Sequence, residues 1–186
     1  MIDRIKILDS ILDGLMTRYR ERVPDVQAII KKMLEKRLIH SADEIQNDHI
    51  AFRTMGVENL GITSLEKIFL HYGYQKKDLY HFPVKKLIAY WYAPPLPEYP
   101  RIFISQLMVD QLNAKNAAII RSYTCEVKHD PVDLLNLDNA EQVDNFLHKP
   151  LWRRPNWQDY QALSRESEYA AFPRNVYEGG SAGINR

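Results

Sequence analysis

Ile5, Leu8, Ile11, Leu12, Leu15 and Tyr19 recur at three- and four-residue intervals, which predicts an amphipathic helix over residues 3–20. Pro24 stands where a first helical residue is favoured, because the N–H it lacks would be unpaired there in any case. Ala28, Ile29, Met33, Leu34 and Leu38 continue a second helical stripe, so residues 1–45 are expected to form a helical hairpin. At Asp48 the period changes. In DHIAFRT, residues 48–54, Ile50 and Phe52 point one way and His49, Ala51 and Arg53 the other, the alternation of a strand with two unlike faces. Ser64 is a candidate N-cap for the helix in SLEKIFLHYG, and Gly73 a candidate stop.

Three more strands are expected at Leu79–Phe82, Lys86–Tyr92 and Arg101–Leu107. The proline-rich turn APPLPEYP separates the last two. Val109–Tyr123 reads as a helix, His129–Leu147 as one or two short acidic helical segments, and Asp159–Phe172 as a further helix. PRNVYEGGSAGINR loses periodicity and gains Gly and Ser, which predicts an irregular tail over 173–186. The predicted class is α+β, with a strand–helix–strand–strand–strand module at about 46–107 inside a region 46–172.

Composition narrows the function. Twenty-five Lys and Arg against 24 Asp and Glu give a net charge of +1 over 186 residues, so no bulk field draws the chain to nucleic acid or anionic membrane. Trp152, Arg153 and Arg154 form an aromatic–basic cluster, but one such cluster on a neutral chain is better read as a packed surface turn than as a nucleic-acid contact. One cysteine, Cys125, excludes an internal disulfide and any multi-cysteine metal site. The apolar stretches fall short of the roughly 18 residues a membrane span needs. The opening MIDRIKILDSILDGL carries acids unsuited to a signal peptide, so a cytoplasmic protein is expected.

There is no glycine-rich phosphate loop and no nucleophile elbow. The histidines are His40, His49, His71, His81, His129 and His148, without an HExxH or HxH pair. His49 differs from the rest because it shares a strand face with Arg53, about 13 Å further along at ~3.3 Å per residue. An imidazole holding a metal and a guanidinium on one face would suit the two ends of a small dicarboxylate. The metal would take an α-keto acid head and the planar fork of Arg53 the far carboxylate.

The stretch DHIAFRTMGVENLGITSLEKIFLHYGY, then YHFPVKKLIAYWYAPPLPEYPRIFISQL and later WQDYQALSRESEYAAF, resembles the 2-oxoadipate dioxygenase/decarboxylase family, also called hydroxyglutarate synthase. The resemblance covers residues 3–172. It implies a vicinal-oxygen-chelate-like fold of two βαβββ modules around one iron. It also implies Fe(II) held by two histidines and a glutamate, with open positions for substrate and O₂. By the resemblance His49 is the first iron ligand and Arg53 grips the far carboxylate. The implied partners are a 2-oxo acid such as 2-oxoadipate and O₂, and the implied products are 2-hydroxyglutarate and CO₂, in lysine degradation.

The remaining ligands do not carry over. The family's second histidine is expected shortly after ESEYAA, and its glutamate further on, whereas PRNVYEGGSAGINR contains no histidine. Gln106, Glu98, Glu166 and Glu168 are the substitute donors to be weighed, the glutamates reading as solvated carboxylates. The sequence therefore also admits a truncated, inactive fragment that binds a small acid or a protein, or a glyoxalase-like binding module with another metal. Without a second module the sheet's inner face would be uncovered, and self-association through it is expected.

Overall fold

The computed structural model describes residues 3–149, 151–167 and 169–170. Glu168 and the predicted tail 173–186 lie outside them, as do Ala171 and Phe172. Helix α1 (Arg4–Arg22) is followed by α2 (Pro24–Glu35), then β1 (His49–Met55), α3 (Ile62–His71), β2 (Gln75–Phe82), β3 (Leu87–Ala93) and β4 (Arg101–Leu107). Helices α4 (Ala114–Thr124), α5 (Ala140–Phe146) and α6 (Trp157–Glu166) complete the described chain. The fold is α+β, and the strand–helix–strand–strand–strand order is as the sequence implies.

The four strands form one sheet in the order β1-β4-β3-β2. β1 runs parallel to β4 with His49 opposite Arg101 and Arg53 opposite Ser105, and the other two pairs are antiparallel. A parallel β1–β4 pair needs a long crossover, and α3, β2 and β3 supply it. One face of the sheet carries Ile50, Phe52, Ile102, Ile104 and Tyr92, all buried. Against it α3 lays Ile62, Leu65, Ile68 and Phe69, the spacing of a single helical stripe. The Phe52 and Phe69 rings meet at 5.1 Å. Leu8, Ile11 and Leu12 of α1 belong to the same core, together with Val143, Phe146 and Leu147 around α5. Arg18 of α1 clasps Asp144 of α5 with two hydrogen bonds of 2.5 Å.

Several boundaries differ from expectation for physical reasons. The second helix ends at Glu35, and Leu38 is exposed beyond it. No residue of α2 is fully buried, and the buried residues of α1, Leu8, Ile11 and Leu12, belong to the main core. α3 begins at Ile62, two residues before the expected cap. Gly61, at φ 92° and ψ −175°, takes the cap position. The Ile62 N–H donates to Gln106 Oε1 at 2.9 Å, so a side chain from β4 closes the helix end. Ser64 instead donates to Asp130 at 2.6 Å. Gly73 does end α3, with Tyr74 N–H bonded to the Phe69 carbonyl and Gly73 N–H to that of Leu70. The expected helix at Val109 starts at Ala114, because Val109–Gln111 is a 3-10 turn and Asn113 caps the helix by accepting from Asn116 N–H. α6 starts at Trp157 under an Asn156 cap and ends at Glu166.

Candidate functional site

The site is built on the other face of the sheet. Residues of one parity on β1 and β4 project there: His49, Ala51 and Arg53 beside Arg101, Phe103 and Ser105. Trp91 of β3 lies in register with Phe103 and extends this face, and its indole N–H donates to Asp78 at 3.1 Å. Tyr80 and Phe82 on β2 are 43% and 42% exposed, so the face is aromatic and open toward that edge. His49 and Arg53 thus share one face, as the alternation in DHIAFRT predicts.

His49 is braced. Its Nδ1 lies 2.9 Å from Asp48 Oδ2, and its ring meets Phe103 edge-on at 5.3 Å. A carboxylate only accepts, so Nδ1 carries the proton and the lone pair of the neutral ring sits on Nε2. Among the described residues Nε2 takes no hydrogen bond. A carboxylate fixing one ring nitrogen so that the other can ligate is the usual support of a metal-bound histidine. Asp48 is held in turn by Arg101 Nη1 at 3.3 Å. The adjacency of Asp48 and His49 was the available signal for this brace.

Arg53 lies with its guanidinium carbon 4.7 Å from the centre of the Tyr169 ring. The Tyr169 hydroxyl is 2.5 Å from Ser105 Oγ, and Ser105 is the register partner of Arg53. Burial pushes the Tyr169 phenol up to about 12 and outweighs the opposing charge of Arg53, so it stays neutral.

The substitute donors do not join His49. Gln106 has the parity of Ile102 and Ile104 and projects through the opposite face, where its amide closes α3. Glu98 is exposed in the β3–β4 turn. Glu166 is consumed by structure: it accepts from Lys86 at 2.5 Å, Asn113 N–H at 2.9 Å, and the side-chain amides of Asn113 and Asn116 at 2.6 Å. Burial pushes the Glu166 carboxyl up, but these donors outweigh it and hold the carboxyl below its ordinary value. Asp130 is lowered in the same way, by Lys67, Ser64 and the Val132 N–H acting against burial. Glu168 lies outside the described residues.

The other histidines are scattered, His71 against Asp138 and His148 against Asp144. Among the described residues no three His, Cys, Asp or Glu side chains group to hold a metal. These residues therefore fit one donor of an iron site, not a whole one. Trp152 is buried, and Arg153 stacks on Tyr123 at 4.3 Å and pairs with Glu126, which makes that aromatic–basic cluster a packed turn.

Both lowered carboxylates act on folding in one direction. A group whose folded pKa is depressed contributes stability that is complete above its unfolded value and is lost as pH falls through the folded one. Wild-type stability is expected to fall below about pH 4.5, and urea midpoints for Glu166→Gln should decline less steeply over that range. Equal slopes would mean that Glu166 contributes nothing to acid sensitivity.

Residues 11–174 match the family of 2-oxoadipate dioxygenase/decarboxylases. The chain belongs to this family. It is 36% identical over 176 residues to the chloroplastic 2-oxoadipate dioxygenase/decarboxylase of Arabidopsis thaliana, a match covering 88% of this chain and 44% of the relative. The chloroplastic/amyloplastic relative of Oryza sativa subsp. japonica is 34% identical, again over 88% of this chain and 44% of its own length. The chain thus spans less than half the length of these relatives. Among solved structures, hydroxyglutarate synthase from Oryza sativa in complex with 2-oxoadipate superposes with a TM-score of 0.78 and 31% identity, over 95% of this chain and 57% of that one. A glyoxalase superfamily protein from Ralstonia eutropha shares the fold, with a TM-score of 0.70 and 19% identity over 91% of this chain and 58% of that one. No described helix is long and apolar enough to cross a membrane.

Proposed function

We propose that this chain supplies the His49 and Arg53 part of an Fe(II)-dependent 2-oxoadipate dioxygenase/decarboxylase. The reaction converts 2-oxoadipate and O₂ to 2-hydroxyglutarate and CO₂, in lysine degradation, in the cytoplasm. The supporting observation is the shared open face, on which a braced imidazole, its Nε2 unbonded among the described residues, and a guanidinium stand at strand positions about 13 Å apart along β1. In this reading His49 provides one nitrogen to iron, which when bound supplies the activation of O₂. Arg53 sets the orientation of the 2-oxo acid by pairing with its far carboxylate, where a planar fork can form two parallel hydrogen bonds. Asp48 keeps the proton on Nδ1. The other iron donors come from outside the described residues, and the aromatic open face is the surface through which the chain self-associates or meets the part that carries them.

A complementation assay tests this reading. The chain is mixed anaerobically with Fe(II) and the portion of the Arabidopsis thaliana relative beyond the aligned region, then given O₂ and 2-oxoadipate. O₂ uptake with equimolar CO₂ and 2-hydroxyglutarate, lost with His49→Ala, is the expected result. Turnover that survives His49→Ala would sink the assignment. The lack of a three-donor cluster among the described residues favours a second reading, an acid-binding module without turnover. It predicts binding of 2-oxoadipate with no O₂ uptake in the same mixture.

A further inference from the structure

The proposed site gives no role to Tyr169, although it lies in the ESEYAA motif and reaches back across the sheet to the carboxylate-gripping residue. We propose that Tyr169 is a positioning residue for Arg53 and so sets the preference of the site for 2-oxo acids with a second carboxylate; this rests on the role given to Arg53 above. Three observations carry it. The phenol ring lies against the Arg53 guanidinium at 4.7 Å, within cation–π range. The ring is itself fixed, since its hydroxyl is 2.5 Å from Ser105 Oγ and 3.2 Å from the Ser105 carbonyl. The anchor returns to β1, because Ser105 Oγ donates to the Phe52 carbonyl at 3.1 Å.

The proton order of this relay follows from its acceptors. The Phe52 carbonyl can only accept, so Ser105 gives it the hydroxyl proton, and Ser105 Oγ accepts from Tyr169. Tyr169 is therefore a donor with a partner already assigned, and its ring face is what remains for Arg53. A guanidinium on a flexible stem loses rotamer freedom when it grips a carboxylate. Stacking on a ring pinned to the neighbouring strand spends that entropy before the acid arrives and fixes the plane in which the fork meets a carboxylate. The ring offers nothing to the keto-acid end of a substrate at His49. Its effect should appear only for ligands with a far carboxylate.

The test is calorimetric titration of the 186-residue chain with 2-oxoadipate and with 2-oxohexanoate, which lacks the far carboxylate. The proteins are wild type, Arg53→Ala, Tyr169→Leu, Tyr169→Phe and the Arg53→Ala/Tyr169→Leu pair. Tyr169→Leu should weaken 2-oxoadipate by about tenfold and leave 2-oxohexanoate unchanged. Tyr169→Phe, which keeps the ring and loses only the anchor, should fall between and reports on the contact if the leucine variant folds poorly. In the double variant the tyrosine change should add nothing to Arg53→Ala. Equal losses for both acids, or a tyrosine effect that persists without Arg53, would overturn the positioning role while leaving Arg53 as the grip. If wild type binds the two acids equally, or Arg53→Ala keeps the preference, both the role of Arg53 and that of Tyr169 fall together.

Discussion

His49→Ala is expected to abolish the weak residual Fe(II) binding by the chain, whereas Arg53→Ala should leave it unchanged and weaken 2-oxoadipate by roughly 10- to 150-fold. The two effects should separate because the side chains stand two pleats apart on one face and, in the proposed roles, address different ends of the acid. An imidazole braced by Asp48 is the sole nitrogen donor that the site places for a metal among the described residues, so no neighbour can replace it. In its proposed role the fork of Arg53 would contribute charge-assisted hydrogen bonds, each worth about 1.5–3 kcal/mol. Arg53 is an exposed residue, so solvent screening holds the loss near one such bond's worth. Equilibrium dialysis against Fe(II) under argon, beside calorimetric titration with 2-oxoadipate, reads the two effects independently. Loss of acid binding in His49→Ala with metal binding intact would reverse the assignments.

Gly61→Ala should cost about 3 kcal/mol of folding stability, with the site face unchanged in the molecules that remain folded. At φ 92° and ψ −175° Gly61 occupies backbone space that is nearly closed to other residues, a cost of about 1–3 kcal/mol. A β-carbon there would also stand 2.6 Å from Gln106 Oε1. That oxygen accepts the Ile62 N–H and closes α3, so displacing it leaves a buried helix end unpaired, at a further cost of about 1–3 kcal/mol. For a domain of this size the total corresponds to a Tm drop of roughly 6–12 °C. Gln106→Ala in the same background removes the collision, so the two substitutions should be less than additive in urea melts. A Gly61→Ala protein within about 0.5 kcal/mol of wild type would mean that the cap geometry is not as described.

How much of this was legible in the sequence depends on where the controlling contacts lie. β4 was readable to the residue, because Ile102 and Ile104 alternate with less buried positions directly after Pro100. β2 was not: it starts at Gln75, four residues before the expected Leu79. All eight of its residues are exposed on the sheet edge, so burial left no apolar pattern to read. The start of α3 escaped because its cap comes from Gln106, 44 residues away, and no local rule anticipates a tertiary cap. The same parity that placed His49 and Arg53 together also places Gln106 with Ile102 and Ile104, so its exclusion from the site was available in the alternation of RIFISQL. The Tyr169–Ser105 contact joins residues 64 apart and had no sequence signal beyond membership of ESEYAA.

In the function proposed above, the chain carries one iron donor and the carboxylate grip, and completes its metal site only with donors from outside the described residues. The most direct measurement is the iron content of the purified 186-residue chain after anaerobic loading with Fe(II) and gel filtration, followed by O₂ uptake with 2-oxoadipate. Iron well below one equivalent and no O₂ uptake above the protein-free control are expected. One equivalent of retained iron with formation of 2-hydroxyglutarate by the chain alone would contradict the proposal.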